Sequence, residues 1–229
     1  MINKNEGYLI IDKPKGVTSF GVIARLRRIT GIKKIGHCGT LDPLATGVLV
    51  CAIGRSATRD IDKFRDHDKV YIAEIEFGIE SDSYDLEGVV KKVKFEIKPK
   101  WRDIKNILHD FSGEIEQAPP IYSAKKINGV RAYKLARAGK NVQMRKKIVI
   151  IYDIKKILYR FPFLKIKVHC GKGTYIRSLA HDIGQQLGCG GVLINLRRIA
   201  VGNIKIDDAI EIAKLDEKNW KKFLLQNVF

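Results

Sequence analysis

Residues 36–47 read GHCGTLDPLATG, and this segment restricts the fold of the chain more than any other. Three glycines punctuate it, and a single carboxylate, Asp42, directly precedes a proline. Glycines at this density indicate unusual backbone angles, or a close approach of another group to the backbone. The apolar run from Val48 to Ile53 does not alternate, which is typical of a strand buried on both faces. The segment therefore predicts a constrained loop that leads into the core.

Asp42 has two interpretations on these grounds alone. Asp-Pro commonly starts a turn, so the residue can be purely structural. The chain, however, carries 43 lysines and arginines against 25 acids, for a net charge of +18. Such a charge indicates a polyanionic partner, with nucleic acid the first candidate. A carboxylate placed near that partner has little electrostatic purpose unless it reacts, so the choice depends on a more specific signal.

Length and composition indicate a globular protein that works in the cytoplasm. The 229 residues, 45% of them apolar, suffice for one large domain or two small ones. Apolar runs such as GVLVCAIG are far shorter than the roughly 20 residues that span a bilayer, and the polar start MINKNEG lacks the apolar region of a signal peptide. We therefore expect no membrane association.

The cysteines and histidines do not predict a metal site. None of the four cysteines forms a C-x-x-C pair. His37 and Cys38 are adjacent, as are His169 and Cys170, but neighbouring side chains on a strand point to opposite faces. We expect neither zinc nor a disulfide framework.

Periodicity predicts an α/β (α+β) fold in which helices flank a mixed, largely antiparallel sheet. A helix capped by Thr18 or Ser19 should end at Gly31. Residues 70–77 and 84–95 suggest a hairpin. The remaining expected strands cover 8–11, 48–53, 148–160, 164–170 and 192–201, and the remaining expected helices cover 56–64, 174–187 and 207–225.

A basic segment lies between Gln117 and Lys147. It contains nine lysines and arginines without an acid, and Tyr122 and Tyr133 interleave with them. A charge run is commonly just a solvated loop, but aromatics beside unbalanced positive charge favour a flap that contacts RNA. The basic residues are Lys125, Lys126, Arg131, Lys134, Arg137, Lys140, Arg145, Lys146 and Lys147.

The motifs of the chain resemble, in order, those of the TruB family of tRNA pseudouridine synthases. GHCGTLDPLATGVL is similar to the family signature, with the aspartate in place. The similarity extends over residues 7 to 205 through DKPKGVTS, KVYIAEIEFGIESDSYDLEG, QAPPIYSAKKINGVRAYKLARAG, GKGTYIRSLAHDIGQQLG and LRRIAVG. It implies a pseudouridine-synthase fold with a single catalytic domain over 1–229 and an RNA-contacting thumb insertion at about 117–147.

The resemblance also implies roles for individual residues. Asp42 matches the catalytic aspartate, Tyr71 the tyrosine that stacks on the flipped uracil, and Arg177 the arginine that pairs with the catalytic carboxylate. Three further matches bind substrate: His37 occupies the space that the flipped nucleotide leaves, and Tyr175 and Leu196 line the nucleoside pocket. The thumb residues expected to bind RNA are Lys125, Lys126, Arg131, Lys134 and Arg137.

The activity implied is conversion of the T-loop uridine 55 of tRNA to pseudouridine, without metal or cofactor, by a monomer that needs no obligatory protein partner. About 27 residues follow LRRIAVG, too few for the PUA-type RNA-binding domain of many relatives. Two alternatives stay open: a dyskerin-like, guide-RNA-dependent synthase, although Leu44-Ala45 differ from its loop, and a tRNA-folding chaperone or binding module.

Overall fold

The computed structural model describes residues 5–123, 126–127, 130–132 and 144–226. Two compact units divide the chain. The first contains the described residues up to Ile72 and from Leu196 onward, and the second contains Ala73–Asn195. Two strands, β4 (Lys69–Phe77) and β12 (Gly191–Val201), pass from one unit into the other along the sequence.

The first unit is built around β3 (Ala45–Ile53), which is buried along nearly its whole length. One edge of β3 pairs antiparallel with β1 (Gly7–Lys13). The other edge pairs antiparallel with β2 (Ile35–Cys38) and parallel with the second half of β12. The short strands β13 (Ile204–Lys205) and β14 (Ile210–Glu211) join β12 and β1 respectively.

Helix α1 (Ser19–Thr30) of the first unit begins and ends where the sequence predicts. Thr18 accepts a hydrogen bond at its side-chain oxygen from the Gly21 amide at 2.9 Å, and Gly31 ends the helix in the left-handed conformation. Helix α2 (Gly54–Asp60) continues as a 3-10 turn over Ile61–Arg65. The expected helix at 56–64 is therefore confirmed in two parts.

The second unit contains a sheet in the order β4, β11, β10, β7. Strand β10 (Lys147–Arg160) pairs antiparallel with both β7 (Gly113–Gln117) and β11 (Phe163–Cys170). Helices α3 (Trp101–Asp110) and α4 (Ile176–Gln186) belong to this unit. Two small antiparallel pairs complete it: β5 (Ile79–Ser81) with β6 (Val90–Lys92), and β8 (Lys126–Ile127) with β9 (Val130–Arg131).

The mixed, largely antiparallel sheet with flanking helices is confirmed, but two local predictions are wrong. Residues 84–95 do not form a hairpin with β4, because the chain turns at Gly78, with φ at +87°, and pairs β5 with β6 instead. The expected helix at 207–225 is absent from the described residues. Its backbone forms β14 and a bridge to β1 instead, between Tyr8 and Leu225, separated by 3-10 turns.

Candidate active site

The loop that carries Asp42 connects β2 with β3, and hydrogen bonds fix it on both sides of the carboxylate. Ser19 donates from its hydroxyl to the Leu41 carbonyl at 3.0 Å and accepts from the Leu41 amide at 2.9 Å. The Pro43 carbonyl accepts from the Gly16 amide at 2.8 Å. Because both neighbours of Asp42 are tied to the segment that leads into α1, the loop presents a half-buried carboxylate in a fixed place.

Lys13 supports the same loop from the end of β1. Its side chain is fully buried, and the ammonium donates to the carbonyls of Pro14 at 2.9 Å, Val17 at 2.6 Å and Pro43 at 3.4 Å. A buried ammonium is tolerated only where acceptors surround it. Sequence reasoning included this lysine in a motif but gave it no role. The sequence feature that could have identified it is a lysine at the end of a buried strand, directly before a proline.

Arg198 holds the two ends of the loop together. This residue of β12 is 1% exposed, and its guanidinium donates to the Val48 carbonyl at 2.7 Å and to the Gly39 carbonyl at 2.8 Å. A Cβ atom at Gly47 would lie 2.1 Å from the Arg198 carbonyl oxygen, and one at Gly39 would lie 3.1 Å from the guanidinium. The close approach that the glycines predict is therefore made, at these two positions, by Arg198 of the same chain.

Three further predicted site residues belong to the first unit. His37 lies on β2 opposite Cys51. Burial, and secondarily the charge of Arg198, lowers the pKa of His37, which favours its neutral form. Leu196 is buried and pairs with Ala45, where the loop enters β3. Tyr71 lies on β4 with 8% of its surface exposed.

The second unit holds Arg177 in the first turn of α4. The side chain is 6% exposed, and its guanidinium donates to the carbonyls of Ser83 and Tyr122, both at 3.1 Å. Its Nη1 also lies 3.2 Å from Oδ2 of Asp85, which is 1% exposed. Arg177 is thus a positioned buried cation rather than a solvated helix charge.

Asp85 is a functional candidate that sequence reasoning missed. Its other oxygen, Oδ1, accepts from the Ser83 hydroxyl at 2.6 Å and from the Glu87 amide at 3.0 Å. The resemblance paired Arg177 with Asp42, and that pairing stays a prediction, because the two residues belong to different units. Within its own unit, Arg177 has Asp85 as a carboxylate partner. The available signal was an acid in the block SDSYDLEG.

Tyr175 directly precedes α4 and is fixed through its backbone. Gln117, itself 2% exposed, accepts from the Tyr175 amide at 2.7 Å and donates to the Tyr175 carbonyl at 3.1 Å. Gln117 is the last residue of β7, where the predicted thumb begins. This reciprocal pair connects the base of the thumb to the start of the helix that carries Arg177.

The thumb residues are only partly described. Lys126 and Arg131 pair across the β8 and β9 strands. Lys125, Lys134 and Arg137 lie outside the described residues. The RNA-binding role of all five thumb residues stays a prediction.

Metal clusters and membrane-spanning helices are both absent from the described residues. Within these ranges, no group of three histidines, cysteines or acids has a geometry suited to a metal ion. All four cysteines are buried, and burial raises the pKa of the Cys38, Cys51 and Cys189 thiols, so these groups stay protonated at neutral pH. No helix in the described part of the chain is both long and apolar enough to cross a bilayer.

Comparison with known proteins gives matches over nearly the whole chain. Residues 27–176 match the family model for the N-terminal domain of TruB family pseudouridylate synthases, and residues 177–228 match the model for the tRNA pseudouridylate synthase B C-terminal domain. The chain is 44% identical to tRNA pseudouridine synthase B of Clostridium kluyveri, over 96% of this chain and 75% of that protein. It is 45% identical to the protein of that name from Chlamydia felis, over 94% of this chain and 91% of that protein.

Among solved structures, a chain in a Cbf5-Nop10-Gar1 complex aligns with a TM-score of 0.75 at 27% identity. The alignment covers 97% of this chain but only 60% of that one. The structural relative that corresponds to the dyskerin-like alternative is thus a distant one, at 27% identity, whereas the synthase B proteins are 44% and 45% identical to this chain. On the strength of the two family models and these relatives, the chain belongs to the TruB family of pseudouridylate synthases.

Proposed function

We propose that this protein is a tRNA pseudouridine synthase that isomerises the T-loop uridine 55 of tRNA to pseudouridine. The observation that carries the proposal is the fixed loop around Asp42, in a chain 44% identical to a tRNA pseudouridine synthase B over 96% of its length. A constrained carboxylate in a chain of net charge +18 is suited to reacting with RNA rather than to binding it electrostatically.

The reaction needs a carboxylate and no redox partner. The glycosidic bond from N1 of uracil to C1′ of ribose breaks, the uracil turns, and C5 bonds to C1′; the C5 proton leaves for solvent and N1 takes up a proton in its place. Asp42 serves by attacking C1′ or the base, or by taking the C2′ proton, and all three routes require the ionised form. Arg177 stabilises that charged form and holds its orientation.

The target uridine must leave its stack before Asp42 reaches it. Extruding a base costs a few kcal/mol, which stacking and gap filling offset. We assign Tyr71 to stacking on the uracil, His37 to the space that the nucleotide leaves, and Tyr175 and Leu196 to the walls of the nucleoside pocket. The lowered pKa of His37 suits this role, since a neutral imidazole enters a base stack without the cost of burying a charge.

The remaining RNA contacts come from the thumb at about 117–147, whose positive charge matches the phosphates of the T arm. The protein acts as a monomer in the cytoplasm and needs neither a guide RNA nor an obligatory protein partner. Neither metal nor cofactor takes part, because the isomerisation has no redox change and consumes no energy.

The test uses the purified protein alone, dialysed against EDTA, with an unmodified tRNA transcript labelled with tritium at C5 of uridine. We expect tritium release in proportion to the enzyme, and none from a matched transcript with cytidine at position 55. Activity that required zinc, a guide RNA or a second protein would contradict the proposal. Binding without any release would favour the chaperone alternative.

A further inference from the structure

Tyr84 has a backbone conformation that tyrosine rarely adopts. Its φ is +64°, and in the described part of the chain no other residue except glycine has a positive φ. A bulky side chain disfavours this left-handed region, so it persists only where surrounding contacts determine it. Tyr84 directly precedes Asp85, whose carboxylate lies against Arg177. The strained residue therefore sets the direction in which the chain enters Asp85.

Stacking on His181 accompanies this conformation. The two rings are nearly parallel, 12° apart, with centroids separated by 3.9 Å. His181 lies four residues after Arg177 on α4, so both project from one face of the helix. One helix face thus contacts two successive residues: Arg177 contacts Asp85, and His181 contacts Tyr84.

Backbone hydrogen bonds hold Tyr84, and burial keeps the His181 ring neutral. The Tyr84 backbone is held by its amide, which donates to Ser81 at 3.1 Å, and by its carbonyl, which accepts from Leu193 at 3.0 Å. The His181 Nδ1 atom is buried and lacks a hydrogen-bond partner among the described residues. Burial lowers the pKa of His181, against an opposing effect of Glu80, so the stacked ring is neutral near pH 7 and adds no positive charge beside Arg177.

We propose that Tyr84 is a positioning residue that, through its stack on His181, holds Asp85 in the orientation in which its carboxylate orients Arg177 for the reaction. This inference rests on the proposed synthase function. Loss of the stack frees residues 84 and 85 to rotate about their backbone, so Arg177 samples orientations that do not support the chemistry. The binding of tRNA, which depends on contacts elsewhere, is unaffected.

The test separates the stack from the backbone strain. Asn tolerates the left-handed region but cannot stack as tyrosine does, so Tyr84→Asn removes the ring without the strain that Ala would impose. Tyr84→Phe and His181→Phe keep two stacked rings and serve as matched controls. For each variant we measure single-turnover tritium release at saturating enzyme, the Kd for tRNA by filter retention, and the melting temperature.

We expect Tyr84→Asn and His181→Ala each to slow the single-turnover rate about tenfold, with Kd within about twofold of the parent and the two Phe variants near the parental rate. In the Asp85→Asn background, Tyr84→Asn should cause little further loss, because both changes act through Arg177. If Tyr84→Asn reacts within twofold of an active parent, or changes Kd alone, the inference is wrong. An inactive parent would instead contradict the proposed function.

Discussion

At the scale of single residues, the proposed catalytic role of Asp42 leads to the first prediction. We predict that Asp42→Asn keeps the fold and the affinity for tRNA but loses essentially all turnover, because a neutral amide is a poor nucleophile and a poor base. Removing a negative charge near RNA should leave binding unchanged or tighter. Filter retention measures the affinity, and single-turnover tritium release measures the chemistry without interference from product release.

A rate within tenfold of the parent would make Asp42 a turn residue, since that difference is only about 1.4 kcal/mol in the barrier. The outcome also addresses the chaperone alternative. A protein whose main role is to fold tRNA would keep that role in Asp42→Asn, whereas the product of the isomerisation would disappear.

Also at the residue scale, the raised pKa of Asp182 predicts how the stability of the protein changes with pH. Burial raises the pKa of Asp182 to about 6, with Lys146 opposing the shift. Because the folded state binds this proton more tightly than the unfolded state, the group favours folding fully below about pH 4, and that contribution is lost as the pH rises through 6. We predict that Asp182→Asn is more stable than the parent at pH 8 by about 1 to 2 kcal/mol, less than a full conversion of the shift because the carboxyl is partly solvated.

The difference should shrink to nothing below pH 4, where the parent carboxyl is protonated in both states. Urea unfolding at pH 4, 6 and 8 measures it, and Asp207→Asn, a change at an exposed acid, is the control that should show no such trend. An advantage of Asp182→Asn that is constant with pH would assign the effect to packing rather than to titration.

At the scale of elements, the loop between β2 and β3 is held by two buried cations. Lys13 and Arg198 direct their charges at backbone carbonyls of the loop and its flanks. Carbonyl groups at the ends of a loop otherwise need water or secondary structure as partners. These hydrogen bonds fix an irregular segment next to Asp42, and the proposed catalysis by this carboxylate would depend on such preorganisation.

Gly36 in β2 and Gly47 in β3, on either side of this loop, provide a matched comparison. We predict that Gly47→Ala destabilises the protein by about 3 kcal/mol, because its φ is +101° and the new Cβ would overlap the Arg198 carbonyl on the neighbouring strand. Gly36→Ala should cost less than about 1 kcal/mol, since its nearest new contact is a methyl group of Thr58 at an ordinary 3.7 Å. The urea midpoint at constant m-value measures both. An equal loss of stability in the two variants would mean that the contact with Arg198 is not the reason why position 47 requires glycine.

At the scale of the whole molecule, the net charge of +18 favours binding to a polyanion such as tRNA. We predict that replacing Lys125 and Lys126 with Ala weakens tRNA binding and reduces the slope of log affinity against log salt by about 0.7 to 0.9 for each phosphate that the protein no longer neutralises. The double change of Lys221 and Lys222 to Ala removes the same charge and should leave the slope unchanged. A slope altered only by the second pair would place the main RNA surface outside the thumb.

Local patterns in the sequence predicted much of the secondary structure. The alternation of β4, with every second residue buried, and the caps of α1 depend on neighbours within a few residues, so sequence reveals them. The tail after residue 205 shows the limit of this reasoning. Its spacing suggests a helix, but backbone pairing with β1, about 200 residues earlier, competes successfully with helical hydrogen bonds.

The sequence by itself determined the family, the fold class and the identity of Asp42 as the candidate reactive group, because these follow from motifs and local periodicity. Only the tertiary structure revealed three buried charges: Lys13, Asp85 and Arg198. Lysines, arginines and acids are almost always expected on the surface. A charge is buried only where distant carbonyls or an opposite charge compensate for its desolvation, and those partners are brought together by the fold rather than by spacing along the chain.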